Sequence, residues 1–409
     1  MNSTTKPASK IISIEDIENA RKSIKGVIRE TETEKSFSLS QTLGAEVFLK
    51  AENQQFTGSF KLRGAYNKII HLNEAEKKKG VVACSAGNHA QGVAFSAKKA
   101  GVAATIVMPI TAPLIKVEAT RDYGAEVVLH GEIYDEAYEK ARELEKNFGY
   151  NFVHPYEDPL IIAGQGTIGL ELMEALPDLD SVVVPIGGGG LISGIATAIK
   201  KLKPSCRVIG VQSTQAPGMY QMFQKQDISL AKKISTIADG IAIKKPSEFM
   251  FKNYISRLVD EVVTVSDDEI AEAIVLLLER SKFVTEGSGA VGVAALLSRS
   301  LKIGKKSCVI LSGGNIDLNI ISKVIEKGQI RKGRLVELSV IVDDTPGNLN
   351  RLTKAIADLR ANVLEVHHDR ISQGLFLRET RIDFVLETSN KEHVQQIKLA
   401  LEKAGGKIL

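Results

Sequence analysis

Short apolar runs that alternate with helix-patterned segments constrain this chain more than any other feature. Residues 81–84, 104–108, 126–129, 181–186, 207–212, 262–265 and 307–311 are mostly apolar and often β-branched. Between or after them lie helix-patterned segments at 88–100, 112–123, 135–148, 191–202, 267–282 and from Asn315 onward. A short strand that is apolar on both faces has no side for water, so helices must cover both. That pattern predicts an α/β fold built on parallel sheets. An earlier strand is expected at 45–50. Ser13 followed by Asp16 reads as a capped helix start, Asp standing in for the usual Glu of a capping box. Residues 1–12 read as a loose polar tail.

The rhythm changes after residues 326–334, a basic, glycine-bearing segment that reads as a linker. Residues 335–343 alternate like a strand. Thr345 is placed to cap a helix with Pro346 at its first position, and Leu349, Leu352, Ile356 and Leu359 recur at helical spacing. Strands are expected at 362–371 and 381–388, then a helix from Lys391 and a short strand at 407–409. This is a βαββαβ unit, a separate small domain. The expected division is a catalytic domain over 1–327, with a smaller subdomain at about 50–157 inserted in it, and a second domain over 334–409.

Composition excludes several function classes. The net charge of +4 over 409 residues is small, and no basic stripe is interleaved with aromatics, which argues against nucleic-acid binding. Cys84, Cys206 and Cys308 stand far apart without metal-ligand spacing and read as reduced thiols of a cytoplasmic protein. The first ten residues lack the apolar centre of a secretory signal. The longest apolar run, around residues 100–110, is too short to span a bilayer.

Three glycine-bearing loops each follow an expected strand: Ser85-Ala86-Gly87-Asn88-His89, Gly187-Gly188-Gly189-Gly190-Leu191 and Ser312-Gly313-Gly314-Asn315. In an open parallel sheet such loops gather at one edge, where ligands bind. The four glycines let backbone approach a ligand closely, and the helix after them offers free N–H groups and a positive dipole end. A phosphate cradle and a plain flexible turn both satisfy that pattern. The spacing matches neither GxxxxGK[ST] nor GxGxxG, so a nucleotide is not indicated. Lys61 sits between Phe60 and Gly64 in Ser59-Phe60-Lys61-Leu62-Arg63-Gly64-Ala65. A lysine becomes a catalyst when its amine is desolvated or condensed with a carbonyl; otherwise it is a surface charge. One lysine, a phosphate cradle without nucleotide signatures and two polar loops suggest a phosphorylated aldehyde cofactor, pyridoxal 5'-phosphate, with the ring as electron sink.

The segments 59–65, 85–92, Thr236-Ile237-Ala238-Asp239-Gly240 and 312–315 closely resemble those of the threonine dehydratase and serine racemase family, in the same order. These are pyridoxal-phosphate enzymes of the tryptophan-synthase-β-like fold, with two parallel-sheet subdomains, and the resemblance runs over about residues 13–327. The tail, with Asp344-Thr345-Pro346-Gly347-Asn348-Leu349 and His367-His368-Asp369-Arg370, looks like a ferredoxin-like ACT domain, a small amino-acid-binding regulatory module.

The resemblance implies that Lys61 is the Schiff-base lysine and the base at the α-carbon, with Phe60 beside the cofactor ring. It implies that Gly187, Gly188, Gly189, Gly190 and Leu191 hold the phosphate through backbone N–H groups. Asn88 would bond the ring hydroxyl, Gly240 would line the cofactor, and Ser312 would face the pyridine nitrogen. Ser85, Ala86, Gly87, Asn88 and His89 would receive the substrate. The implied reaction turns L-threonine into 2-oxobutyrate and ammonia by elimination of water, with L-serine to pyruvate as a secondary reaction. Allosteric control through the ACT domain, by an amino-acid or nucleotide effector, and a homodimer or homotetramer complete the expectation. A racemase, a dehydratase of another β-hydroxy amino acid, and an amino-acid-sensing regulator without turnover are the alternatives.

Two departures qualify the resemblance. Racemising relatives have a second serine where Ala86 stands, and alanine has no proton to give to the opposite face of the α-carbon. They also have acidic residues of a divalent-cation site where Gln212 and Gly218 stand, so no metal is expected. Glu286 matches a position near the cofactor, without an assigned role. His89 reads either as catalytic or as a residue bonded behind its loop. His367 and His368 are strand neighbours on opposite faces and do not form a shared metal site. Cys84 and Cys308 read as small core residues, and Arg63 as a surface or interface charge.

Overall fold

The computed structural model describes residues 11–228, 234–371 and 374–409; residues 1–10 of the expected polar tail lie outside them. The chain divides into two compact units, Met1–Asp317 and Leu318–Leu409.

The first unit contains two sheets. Strands β1 (Thr33–Lys35), β2 (Glu46–Lys50), β3 (Val81–Cys84), β4 (Ala104–Met108), β5 (Glu126–Leu129), β6 (Asn151–Phe152), β7 (Ser181–Pro185), β8 (Arg207–Ser213), β9 (Glu261–Val265) and β10 (Lys306–Ile310) follow in chain order. The larger sheet runs β1-β2-β10-β7-β8-β9 and the smaller β5-β4-β3-β6. Every pairing in them is parallel except that of β1 with β2. β3, β4 and β7 are buried along their whole length, which is why their sequences are almost wholly apolar, Thr105 and Ser181 being the polar members. The core of the larger sheet joins Val182, Val184, Ile186, Ile192, Ile195, Val208 and Ile310 with Ile17 of the first helix. A second core, around Val81, Ala83, Val93, Ile106 and Met108, lies under the smaller sheet.

Ser13 does cap the helix Ile14–Ile24 in a capping box with Asp16. Several helices escaped the sequence reading, among them Lys61–Ile70, Pro159–Ala175 and Gly287–Leu297. Lys61–Ile70 carries Gly64 near its start, and that glycine serves close packing. A Cβ there would lie 2.7 Å from the Ile161 carbonyl, and one on Gly164 2.6 Å from the Arg63 carbonyl. The two glycines therefore let the helices Lys61–Ile70 and Pro159–Ala175 meet backbone to backbone. Pro159–Ala175 has no polar face to give it a period: residues 161–170 are all buried. The small strands β1 and β6 also went unread.

The second unit has its own core, with Leu338, Val340, Leu352, Ile356, Phe384, Ile397 and Leu401. Strands β11 (Leu335–Asp343), β12 (Asn362–Asp369), β13 (Glu379–Glu387) and β14 (Lys407–Ile408) form an antiparallel sheet in the order β12-β13-β11-β14. With the helices Asn348–Asp358 and Lys391–Lys403 this is the βαββαβ order of a ferredoxin-like fold. Two local expectations fail. The segment read as a linker is mostly the helix Leu318–Arg331, which groups with the second unit, so a boundary at 327 would cut it. Thr345 and Pro346 do not begin a helix; Gly347, at φ +94°, caps one that starts at Asn348. Asn348 Nδ2 donates to the Asp343 carbonyl at 2.7 Å, closing the turn that precedes it.

Candidate active site

Three of the loops that leave the carboxyl ends of parallel strands open on one cavity of about 940 Å³ in the first unit. β3 leads into Ser85-Ala86-Gly87 and the helix Asn88–Ala100. β7 leads into Gly187-Gly188-Gly189 and the helix Gly190–Leu202, and β10 into Ser312-Gly313. All fourteen candidate residues line this cavity: Phe60, Lys61, Ser85, Ala86, Gly87, Asn88, His89, Gly187, Gly188, Gly189, Gly190, Leu191, Gly240 and Ser312. Glu286, Ser288, Tyr156 and Pro155 join them from elsewhere in the chain.

Backbone hydrogen bonds tie the stretch before Lys61 to the third loop. Phe60 N donates to the Ser312 carbonyl at 3.1 Å and Gly314 N to the Gly58 carbonyl at 2.8 Å. Lys61 then opens its helix, and its Nζ donates to the Pro155 carbonyl at 2.8 Å, beside the Phe60 ring. Burial brings the amine pKa down to about 8, against the pull of the Glu286 carboxylate in the other direction. This is the desolvated environment that turns a lysine into a nucleophile or base at moderate pH.

The next residue but one anchors that helix. Arg63 was expected as a surface or interface charge, yet it is wholly buried within the chain. Its Nε and Nη2 donate to the two Glu52 carboxylate oxygens at 2.9 and 2.7 Å, and Nη2 also reaches Glu171 at 2.9 Å. Lys50 completes the cluster against Glu171 at 2.6 Å. Two cations facing two carboxylates make burial tolerable, and a guanidinium matches carboxylates as a bidentate fork.

His89 is buried and its Nε2 donates to the Val153 carbonyl at 2.8 Å. Burial, with the nearby Lys61 charge, pulls its pKa down to about 3, so the ring is neutral and bonded behind the loop. Asn88 Nδ2 donates to Glu286 Oε1 at 2.7 Å. Burial and the Asp239 charge push the Glu286 carboxyl up to about 7, opposed by the Asn88 hydrogen bond and by Lys116 and Lys61. Gln212 is a structural amide: Nε2 donates to the Ile186 carbonyl at 3.2 Å, and Oε1 accepts from Tyr220 N at 2.8 Å.

The cavity fits a phosphorylated aromatic aldehyde. A Cβ on Gly188 would lie 2.2 Å from Tyr156 Cδ1, and one on Gly190 2.9 Å from Tyr156 Cβ. The glycine loop can therefore lie against that ring only without side chains. Gly189 takes φ +97°, and the helix Gly190–Leu202 begins without a side-chain cap. Its first amides suit a phosphate. Ser288 Oγ is buried at the cavity wall without a hydrogen-bond partner. Across the mouth, Lys116 pairs with Asp239 at 3.0 Å and Lys244 with Asp135 at 3.6 Å.

Tyr156, Pro155 and Ser288 went unread because no local pattern marks them: each reaches the cavity only through long-range packing. Asp239 lay inside a quoted motif, but its pairing with Lys116 could not be read from it.

A family model described as pyridoxal-phosphate dependent enzyme matches residues 24–313. The chain is 50% identical over 395 residues to L-threonine ammonia-lyase of Thermotoga maritima, covering 97% of this chain and 98% of the relative. The processed form of threonine deaminase isoform 2 from Solanum lycopersicum superposes with a TM-score of 0.73 at 35% identity, over 80% of this chain and 94% of the other. Maize serine racemase superposes with a TM-score of 0.73 at 34% identity, over 79% and 99%.

Proposed function

Because the chain belongs to the family of pyridoxal-phosphate-dependent enzymes, we propose that it deaminates L-threonine to 2-oxobutyrate and ammonia. The activity is that of a threonine ammonia-lyase, with L-serine to pyruvate as a secondary reaction. The observation that carries this reading is the desolvated amine of Lys61 facing, across one cavity, a glycine loop that opens an uncapped helix. Pyridoxal phosphate, when bound, supplies the aldehyde that takes the substrate amine and the ring that spreads the electron pair left at the α-carbon.

The protein's part is to hold and to move protons. Gly187 to Leu191 would hold the phosphate through backbone N–H groups, Phe60 and Gly240 would border the ring, and Asn88 would bond its hydroxyl; all of them line the cavity. Ser312, also at the cavity wall, would offer the ring nitrogen a neutral hydroxyl, which does not favour protonating it. Ser85 to His89, at the start of the helix Asn88–Ala100, receive the substrate carboxylate, and the dipole end there suits an anion. Lys61 Nζ takes the α-proton as the C–O bond to the β-hydroxyl breaks, and the proton taken up at Lys61 balances the expelled hydroxide as water over the whole elimination. Ala86 has no proton to return to the other face, which favours elimination over racemisation.

The second unit is proposed as an ACT-like module that binds an amino-acid or nucleotide effector, in a homodimer or homotetramer. Its βαββαβ order supports that reading. A cytoplasmic location rests on Cys84, Cys206 and Cys308 being free and buried. No helix among the described residues is long and apolar enough to cross a membrane.

The deciding experiment measures 2-oxobutyrate released from L-threonine by the purified chain supplied with pyridoxal phosphate. Turnover is expected from the parent. Lys61→Ala should lower the rate by at least about a thousandfold, as loss of a positioned general base does. An inactive parent, or full activity in Lys61→Ala, would overturn the assignment.

A further inference from the structure

Asn315, the last residue of the third glycine loop, has no part in the reading above, yet its hydrogen bonds decide how Asn88 is turned. Asn315 Nδ2 donates to the Thr57 carbonyl at 2.9 Å and to Asn88 Oδ1 at 2.8 Å. A backbone carbonyl only accepts, so Thr57 fixes which end of the Asn315 amide faces this side. With both Nδ2 hydrogens committed, Asn315 requires an acceptor from Asn88, and the Asn88 carbonyl oxygen turns toward it. Asn88 Nδ2 must then face the other way. One of its hydrogens goes to Glu286 Oε1 at 2.7 Å. The second is left for whatever occupies the cavity that Asn88 lines.

Packing holds this arrangement in place. A Cβ on Gly58 would lie 2.3 Å from Asn315 Oδ1, and one on Gly313 2.5 Å from Glu286 Oε1. Both amide and carboxylate therefore occupy space that exists only because residues 58 and 313 have no side chain.

We propose that Asn315 and Glu286 are positioning residues: they orient the Asn88 amide so that it offers an N–H, and not its carbonyl, to the ring oxygen of the bound cofactor. The proposal rests on the reading of this cavity as a pyridoxal-phosphate site. An N–H at that oxygen favours its ionised form, whereas a carbonyl there would require the oxygen to keep its proton. The ionisation of the ring oxygen, and with it the visible absorbance of the bound cofactor, thus depends on two residues behind Asn88.

The test titrates the cofactor-free chain with pyridoxal phosphate, reading the dissociation constant by fluorescence and the absorbance band of the loaded protein against pH. Asn315→Asp keeps the shape but loses the donors to Thr57 and Asn88. It should weaken cofactor binding about tenfold, the scale of one hydrogen bond to a charged group, and shift the pH dependence of the band upward. Glu286→Leu should do the same, whereas Glu286→Gln keeps an acceptor for Asn88 and should match the parent in both readouts. Should Asn315→Asp lose its cooperative melting transition, the Glu286 pair decides alone. Equal behaviour of Glu286→Leu and Glu286→Gln, or weaker binding with an unmoved band, would overturn the proposal. A parent that binds no pyridoxal phosphate would overturn the functional reading and the proposal with it, whereas variants that equal a binding parent would overturn the proposal alone.

Discussion

Lys61 is part-buried at the cavity wall, and desolvation brings its amine pKa down to about 8, well below the ordinary lysine range. The direction follows from burial, which disfavours the charged ammonium. Only the neutral amine attacks an aldehyde, and its fraction rises with pH through that value. The rate at which the cofactor-free chain takes up pyridoxal phosphate should therefore climb with pH and level off above about pH 8. Stopped-flow absorbance measures this, and a plateau reached only in the ordinary lysine range would contradict the burial. Ala86 carries a second prediction. The parent chain should turn L-serine into pyruvate without D-serine, and Ala86→Ser, which restores a hydroxyl on the face opposite Lys61, should give D-serine detectable by chiral chromatography. D-serine from the parent at a rate like that of pyruvate would show that another group protonates that face. At this scale the site was legible wherever a local pattern marked it. Lys61 between Phe60 and Gly64, and the glycine run at 187–190, are visible in a few residues. Asn315 and Glu286 are not: what they do depends on Thr57 and Asn88, 258 and 198 residues away in the chain.

The helix Lys61–Ile70 shows how an element carries a site. Its first residue holds the reactive amine, and two residues on Arg63 fastens it to Glu52 and Glu171. Arg63→Ala would leave those two carboxylates buried with only Lys50 as countercharge. Removal of one partner from a buried ion cluster costs about 3–5 kcal/mol. Urea unfolding should show that loss as a lower midpoint, and a change below about 1 kcal/mol, the scale of an exposed pair, would mean that water reaches the cluster. Most strands of the first unit were legible because a strand covered on both faces must be mostly apolar, as β3, β4 and β7 are. Helices were legible when one face met water. Pro159–Ala175 failed that condition, since burial around most of its circumference removes the 3.6-residue alternation a reader relies on. Arg63 misled for the converse reason. Charge usually marks a surface, and only the partners Glu52 and Glu171, brought in by the fold, make an interior arginine tenable.

At the scale of the whole molecule, each of the two units has a hydrophobic core of its own. The cavity is lined entirely by residues 60–312, within the first unit. The residues proposed for catalysis therefore all belong to the first unit, and a regulatory role in the second would act through linked equilibria: an effector alters activity only if it binds one state of the enzyme better than another. The order of the two units was legible from the change of rhythm near residue 330. Their boundary was not, because Lys327, Gly328 and Lys332 look like linker residues while the chain through Arg331 is helical. Removing residues 334–409 tests the division of labour. The shortened chain should retain 2-oxobutyrate formation from L-threonine. Isoleucine, valine, threonine, serine and nucleotides, screened against the full chain, identify the effector, and its effect should vanish in the shortened one. An effector response that survives the deletion would place the regulatory site in the first unit and leave the second without the proposed role. Loss of turnover with an intact melting transition would instead show that the second unit supports the catalytic one directly, against the self-contained cavity described above.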